Sequence, residues 1–418
     1  MTNNTEEVKQ MSSSKRKTQL ILIFLTVFIY LLGFGIIIPI LPILSRDFGA
    51  NATETGLLMS MYSLMQFMFS PFWGRLSDRF GRKPILLSCL LGEAFSYILF
   101  AISRDLPTLF VARMLAGFFG GSISTASAYI SDITPADQRS KGMALIGAAF
   151  GLGFVFGPAI GGLLTEYSKH ISTEPFFNTS FASYVVSGLC FFTFVFGYFF
   201  LTESLTTKAP PRSSKSRFLI IFEKLKIPIV SHLTIVFFLL SFSMSAMEAT
   251  LVLYMGEVFS WGIKEVSYGF AYIGVIIVIT QGYLIRKFLP KWGERFVLKM
   301  GTAAFFVGMA LIPMAPNIWL MAVAITLVAL GNGMSNPSIL GSISNLTDST
   351  EQGSTLGVTQ SLSSLGRILG PALGGFAFHK FFIQSPFVLA GFLGFIAFLI
   401  VIVLNQQIPN KGKTSGSH

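Results

Sequence analysis

The chain has 418 residues, is 52% hydrophobic and only 12% charged, and carries a formal net charge of +11. That charged share is roughly half of what soluble domains use, which excludes a soluble globular fold and fits a polytopic helical membrane protein. The positive excess does not indicate nucleic acid, because Lys and Arg fall in alternate loops rather than on one stripe, as membrane orientation demands.

A polar tail (1–17) precedes the first apolar run, and each span needs about 20 apolar residues. Hydropathy predicts twelve spans in an all-α fold of two six-helix bundles. The first bundle (18–202) holds spans at 18–44, 55–75, 84–103, 107–131, 141–165 and 179–202. A polar linker (203–230) with Pro210-Pro211 follows. The second bundle (231–405) holds 231–256, 265–287, 295–314, 318–344, 353–378 and 384–405, before a short tail (406–418). The first run lacks a small-residue cleavage site, so no cleavable signal peptide is expected.

With the N-terminus inside, the opposite loops hold only Arg46, Arg104, Lys169, Lys264 and Lys380 of the 30 basic residues. Both termini are therefore expected in the cytoplasm. The halves also repeat: GPAIGG at Gly157–Gly162 recurs as GPALGG at Gly370–Gly375, an offset of 213. The same offset relates ISDIT at Ile130 to ISNLT at Ile343. Parallel repeated halves are a transporter architecture in which substrate binds near the midplane between them.

Between the second and third spans lies GRLSDRFGRKP, Gly74 to Pro84, with Arg75, Asp78, Arg79, Arg82 and Lys83 in one tight turn. A topology anchor explains its arginines, but not Asp78, Gly74 or Gly81. In the fifth span Gly153, Gly157 and Gly161 share one helix face, repeated in the eleventh by Gly366, Gly370 and Gly374. Such rows bring helices close together. Pro158 and Pro371 each remove a backbone donor, which predicts a local distortion and a pair of hinges.

Of the charges inside spans, four stand out away from the span ends: Glu93, Arg113, Glu248 and Arg367. Each is expensive there unless it meets a partner or a polar cavity. They cancel as buried pairs, or they serve proton coupling and substrate binding. Arg367 stands where the first half has Phe154. Tyr62, Gln66, Gln281, Asn332, Asn336 and Gln360 are candidate cavity-lining residues, with interhelical hydrogen bonding as the alternative. The two cysteines, Cys89 and Cys190, lie within apolar runs and indicate neither a disulfide framework nor a metal site. None of the four histidines is placed for metal binding or nucleophilic catalysis. No phosphate-binding loop or catalytic triad appears either, so enzymatic activity is not expected.

These motifs resemble the major facilitator superfamily and, within it, the twelve-helix drug:proton antiporters. The Gly74 turn matches that family's signature between helices 2 and 3. QFMFSPFWGRLSDRFGRKPILL, ARMLAGFFGG and GMALIGAAFGLGFVFGPAIGG are similar to tetracycline exporters and their eukaryotic relatives. The resemblance implies a latch in which Asp78 faces the start of helix 11, near Asp348 and Glu351, while Arg79 or Arg82 pairs with Asp132. It links Arg113 to proton movement, and the helix 5 motif to antiport. Glu248, in SAMEATLVLY, resembles the helix 7 acid of Gram-positive quinolone exporters. Three departures stand out. Tetracycline exporters carry an acid in helix 1, where this chain has Tyr30, and their helix 3 acid aligns with Ser96. The quinolone exporters' helix 10 acid falls near Gly333.

The resemblance implies a monomeric plasma (inner) membrane protein with no cofactor, driven by the proton gradient. Its partners are a small-molecule substrate, protons and the lipid bilayer. It exports amphiphilic compounds by alternating access; the alternative is a proton-coupled transporter of a nutrient or organic anion.

Overall fold

The computed structural model describes residues 13–134, 139–205, 227–347, 352–404 and 407. Both tails, most of the central linker, and Asp348 and Glu351 lie outside them. Among the described residues all regular structure is helical. The helices are α1 (Ser13–Asp47), α2 (Ala52–Phe80), α3 (Arg82–Ile102), α4 (Leu106–Gly120), α5 (Ile123–Ile133), α6 (Arg139–Ser168) and α7 (Pro175–Phe200). They continue as α8 (Pro228–Phe259), α9 (Ile263–Ile279), α10 (Ile285–Leu311), α11 (Ile318–Asn345), α12 (Gln352–Lys380) and α13 (Ser385–Leu404).

Local chemistry sets several starts. Asp105 caps α4 by accepting from the Thr108 amide at 2.7 Å, and Asn317 caps α11 by accepting from Leu320 at 3.0 Å. Asn51 and Glu54 form a reciprocal box at α2: the Glu54 carboxylate accepts from the Asn51 amide at 2.8 Å, and the Asn51 side chain accepts from the Glu54 amide at 3.1 Å.

Two predicted spans differ from their sequence reading. The fourth is broken into α4 and α5 at Gly121–Ser122. There Trp73 Nε1 donates to the Phe118 carbonyl at 2.6 Å and Gln66 Nε2 to the Gly120 carbonyl at 3.2 Å. A break inside a membrane helix persists where side chains satisfy the freed backbone in this way. The eighth passes from α9 through a π-helical turn, Thr280–Leu284, into the start of α10. The ninth begins after Gly293, whose φ of 75° interrupts α10.

Among the described residues, eight helical stretches have the length and hydropathy to cross a membrane, with Ile263–Met314 taken as a single stretch.

The chain divides into two compact units. Unit 1 comprises Met1–Ala50, Met61–Arg212 and Trp261–Ala271; unit 2 comprises Asn51–Ser60, Ser213–Ser260 and Tyr272–His418. Relative to the halves read from hydropathy, two short segments change sides. In unit 1, Leu22, Ile23, Val27 and Leu31 of α1 form a core with Leu86, Tyr129, Ile130 and Ala149.

Glycine seams hold the long helices together. A Cβ on Gly157 of α6 would lie 2.6 Å from Gly35 Cα of α1, and one on Gly153 2.7 Å from Leu31 Cβ. In unit 2 a Cβ on Gly370 of α12 would meet Ser245 Oγ and the Phe242 carbonyl oxygen of α8, the latter at 2.5 Å. Gly161 and Gly374 extend the rows onto Ile36 and Ala246. The helices run unbroken through Pro158 and Pro371, and their glycine rows are packing seams.

Candidate functional site: a charged turn and two acids within spans

The turn is built around a buried arginine. Gly81 takes φ 105°, a conformation that favours glycine, and swings the chain from α2 into α3. Arg82, the first residue of α3, is 7% exposed. Its Nη1 lies 2.7 Å from Asp78 Oδ1 and donates to Ser77 Oγ at 2.6 Å, while Nε donates to Asp132 Oδ2 at 3.1 Å. One cation thus joins the end of α2 to the end of α5. Arg79 is turned outward, with its guanidinium 5.2 Å from the Phe80 ring. Of the two arginines offered for Asp132, Arg82 makes the pair. Gly74 has only an ordinary contact, with Ser124.

A third acid completes the turn. Glu203 accepts from the Arg82 amide at 2.8 Å through Oε1 and from the Lys83 amide at 3.0 Å through Oε2. These are orphan donors of the first helical turn, and the helix dipole favours an anion there. A Cβ on Gly81 would lie 2.5 Å from Glu203 Oε2, so glycine is required sterically as well. Ser204 Oγ donates to Asp132 Oδ2 at 3.1 Å, and Lys83 Nζ to the Tyr198 carbonyl at 2.8 Å. The end of α7 is thereby fastened to the same network.

Deeper in unit 1, Glu93 of α3 is 0% exposed, and among the described residues neither carboxylate oxygen has a hydrogen-bond partner. The Tyr97 hydroxyl is likewise buried, with no hydrogen-bond partner among the described residues. Arg113 of α4 is 2% exposed and acts on Glu93 electrostatically. Its guanidinium lies 4.8 Å from the Tyr62 ring and 5.8 Å from that of Phe34. Aromatic faces attract a cation, and more strongly once it is desolvated. Ser96 donates to its own helix at Gly92, so the carboxyl of this region belongs to Glu93, one turn earlier.

In unit 2 the seam between α8 and α12 carries hydroxyl pairs. Thr234 meets Thr359 at 3.1 Å, Ser241 meets Ser363 at 2.7 Å, and Ser245 donates to the Gly366 carbonyl at 3.1 Å. Glu248 is one turn further along α8, partly buried and within electrostatic range of Arg367 on α12. Arg367 donates to Ser363 Oγ at 3.3 Å and to Ser364 Oγ at 3.0 Å. The guanidinium is therefore held by hydroxyls of its own helix while facing an acid of the next.

A family model described as the Major Facilitator Superfamily matches residues 23–293 and 284–417. The chain belongs to the major facilitator superfamily. It is 31% identical over 367 residues to the class H tetracycline resistance protein of Pasteurella multocida, covering 86% of this chain and 88% of the relative. To the class B tetracycline resistance protein of Escherichia coli it is 30% identical over 397 residues, covering 92% and 94%. The crystal structure of the human organic anion transporter MFSD10 superposes with a TM-score of 0.68 at 24% identity, covering 92% of this chain and 99% of that one. The protein is thus a multi-pass membrane protein of a transporter family.

The candidate lining residues of this superfamily member divide between the units. Tyr62 and Gln66 lie in unit 1, the first under Arg113 and the second bonded to Gly120. Gln281 is exposed in the π-helical turn, whose Thr280 packs against Gly333 of α11. Asn332 and Asn336 are partly buried, and Gln360 is exposed. Sequence reasoning missed Ser77, Glu203 and Ser204. The one signal for Glu203 was an acid placed as the first residue of the linker, directly after the sixth span.

Proposed function

We propose that this protein is a proton-driven exporter of small amphiphilic compounds, working by alternating access and not as an enzyme. The observation that carries this reading is the approach of Glu248 on α8 to Arg367 on α12 in a hydroxyl-lined seam. A carboxylate there holds a cationic group by charge and loses that hold when protonated. One acid can then exchange a proton for a substrate. Similarity to tetracycline resistance proteins over most of the chain supports export.

The Asp78–Arg82–Asp132 network acts as a latch on the side where both termini lie, here the cytoplasm. Glu93 and Arg113 form a second coupling element, isolated from water in unit 1. The protein works as a monomer in the plasma membrane, with the proton gradient as its energy source and no cofactor.

Everted membrane vesicles energised by respiration test the reading with a fluorescent lipophilic cation. Wild-type vesicles should accumulate it, a protonophore should abolish accumulation, and Glu248→Gln should transport poorly at every pH. Proton-coupled accumulation by Glu248→Gln at the wild-type rate would refute the assignment.

A second reading has one observation in its favour. Arg113 is buried with its guanidinium over aromatic rings, a setting suited to planar organic anions as well as to coupling. If vesicles accumulate an anionic fluorophore and not the cation, the substrate class moves to organic anions.

A further inference from the structure

The turn before α3 has a structural copy in unit 2. Gly293 adopts φ 75° and ψ 166°, close to the φ 105° and ψ 155° of Gly81, and each glycine precedes a new helical segment. The residue that follows is buried in both, but its charge is inverted. Arg82 meets Asp132 at the end of α5, whereas Glu294 accepts from Asn345 Nδ2 at 3.4 Å at the end of α11. Asp132 and Asn345 are related by the repeat offset of 213.

This inversion changes the surface around the turn. In unit 1, Asp78 and Asp132 pair with the Arg82 guanidinium, and Glu203 accepts from the Arg82 and Lys83 amides. In unit 2 the segment 286–299 contains Arg286, Lys287, Lys291, Arg295 and Lys299, and its one acid, Glu294, is turned inward and 9% exposed. Arg286, Lys287, Lys291 and Lys299 are exposed. Aromatic rings interleave with them: Phe288 stacks on Trp292 at 4.6 Å, and Trp292 meets Phe296 edge-on at 5.1 Å. Lys287 Nζ lies 5.8 Å from the Tyr283 ring and Lys291 Nζ 6.0 Å from the Trp292 ring.

We propose that this face of unit 2 is a seat for an anionic phospholipid of the adjacent leaflet. Its lysines and arginine neutralise the headgroup phosphate, and the aromatic ladder lies along the boundary between headgroups and acyl chains. Clustered cations next to a membrane span attract anionic lipid, and Trp and Tyr anchor at that depth. A topology anchor needs only the charges. The absence of an exposed acid from segment 286–299 and the stacked rings beside the lysines go beyond that requirement.

The test titrates the detergent-solubilised full-length protein with dioctanoyl-phosphatidylglycerol, with dioctanoyl-phosphatidylcholine as the neutral comparison. The triple variant R286Q/K287Q/K291Q should lose about fivefold in phosphatidylglycerol affinity for each cation removed, with phosphatidylcholine unaffected. R104Q/K169Q, whose cations already face Glu174 and Glu166, should bind as wild type does. If the triple variant is not recovered folded, Lys287→Gln and Lys291→Gln read the same quantity singly. The proposal is overturned if the variants bind phosphatidylglycerol within about twofold of wild type. It is overturned too if wild type shows no preference over phosphatidylcholine, or if glycerol phosphate displaces the lipid at equal concentration.

Discussion

The seam between α1 and α6 gives a prediction that can be worked from distances. A methyl group at Gly157 would sit 2.6 Å from Gly35 Cα, 2.7 Å from Gly35 C and 2.9 Å from Ile36 N. Carbon atoms prefer separations of about 3.5–4.0 Å, so the shortfall is close to 1 Å. All three neighbours are backbone, and no rotamer change relieves the clash; the helices must part. Overpacking of this kind costs about 1–3 kcal/mol. Replacing a mid-helix glycine by alanine returns up to about 1 kcal/mol of helix propensity.

With the full propensity gain, the net expectation for Gly157→Ala is a loss of about 0–2 kcal/mol, together with slowed transport. Gly188 of α7 is the matched control, because a Cβ there meets nothing within 4 Å. Gly188→Ala keeps the propensity gain and should be neutral or stabilised. Thermal unfolding of the two purified variants in one detergent, beside vesicle transport, decides the matter. Equal melting temperatures for Gly157→Ala and Gly188→Ala would show that the seam tolerates separation, and the packing argument would fail.

At the turn, Arg82→Gln removes the cation shared by Asp78 and Asp132. Asp132 is only partly exposed, so roughly 2 kcal/mol of stability should be lost, with transport impaired and membrane insertion intact; a variant that transports normally reduces the turn to a topology anchor. Gly81→Ala forces a non-glycine residue to φ 105° and displaces Glu203, costing about 1–2 kcal/mol from the backbone alone; an unchanged melting temperature would contradict this. Glu203→Gln should be milder, since an amide oxygen still accepts one of the two N–H groups, and its deficit should fall between wild type and Gly81→Ala. Asp105 lies between spans, and its hydrogen bonds from Thr108 hold its carboxyl below the ordinary aspartate value of 3.8. The cap is therefore complete above that range and lost as pH falls through the lower, folded value; Asp105→Asn keeps the cap, and its melting curve should lack that acid-side decline.

The twelve-span plan, the repeat and the family were all legible because hydropathy, glycine spacing and charge asymmetry are written in consecutive residues. The Arg82–Asp132 pair was legible to within a choice of two arginines, since a turn of this composition has few ways to bury one cation. Glu203 was not. Its role depends on the end of α7 returning beside the start of α3, a contact between segments 120 residues apart. The break after α4 was hidden for a similar reason: Gly120 and Gly121 read as ordinary membrane glycines until Trp73 and Gln66 claim the carbonyls around them. Glu93 and Arg113 could be seen as buried charges, but periodicity carried no hint of how few hydrogen bonds Glu93 would find.

Cys89 and Cys190 are both free and both buried. Hydrophilic maleimides should find little to react with in the natural chain, which can then serve as its own silent background. Gly188, Gly341 and Gly357 have open space where a side chain would begin. A thiol placed at any of them should accept a spin label or fluorophore without disturbing a neighbour, one reporter in unit 1 and two in unit 2. Pairs of such probes would let spectroscopy follow the moving protein with every other residue left as nature wrote it.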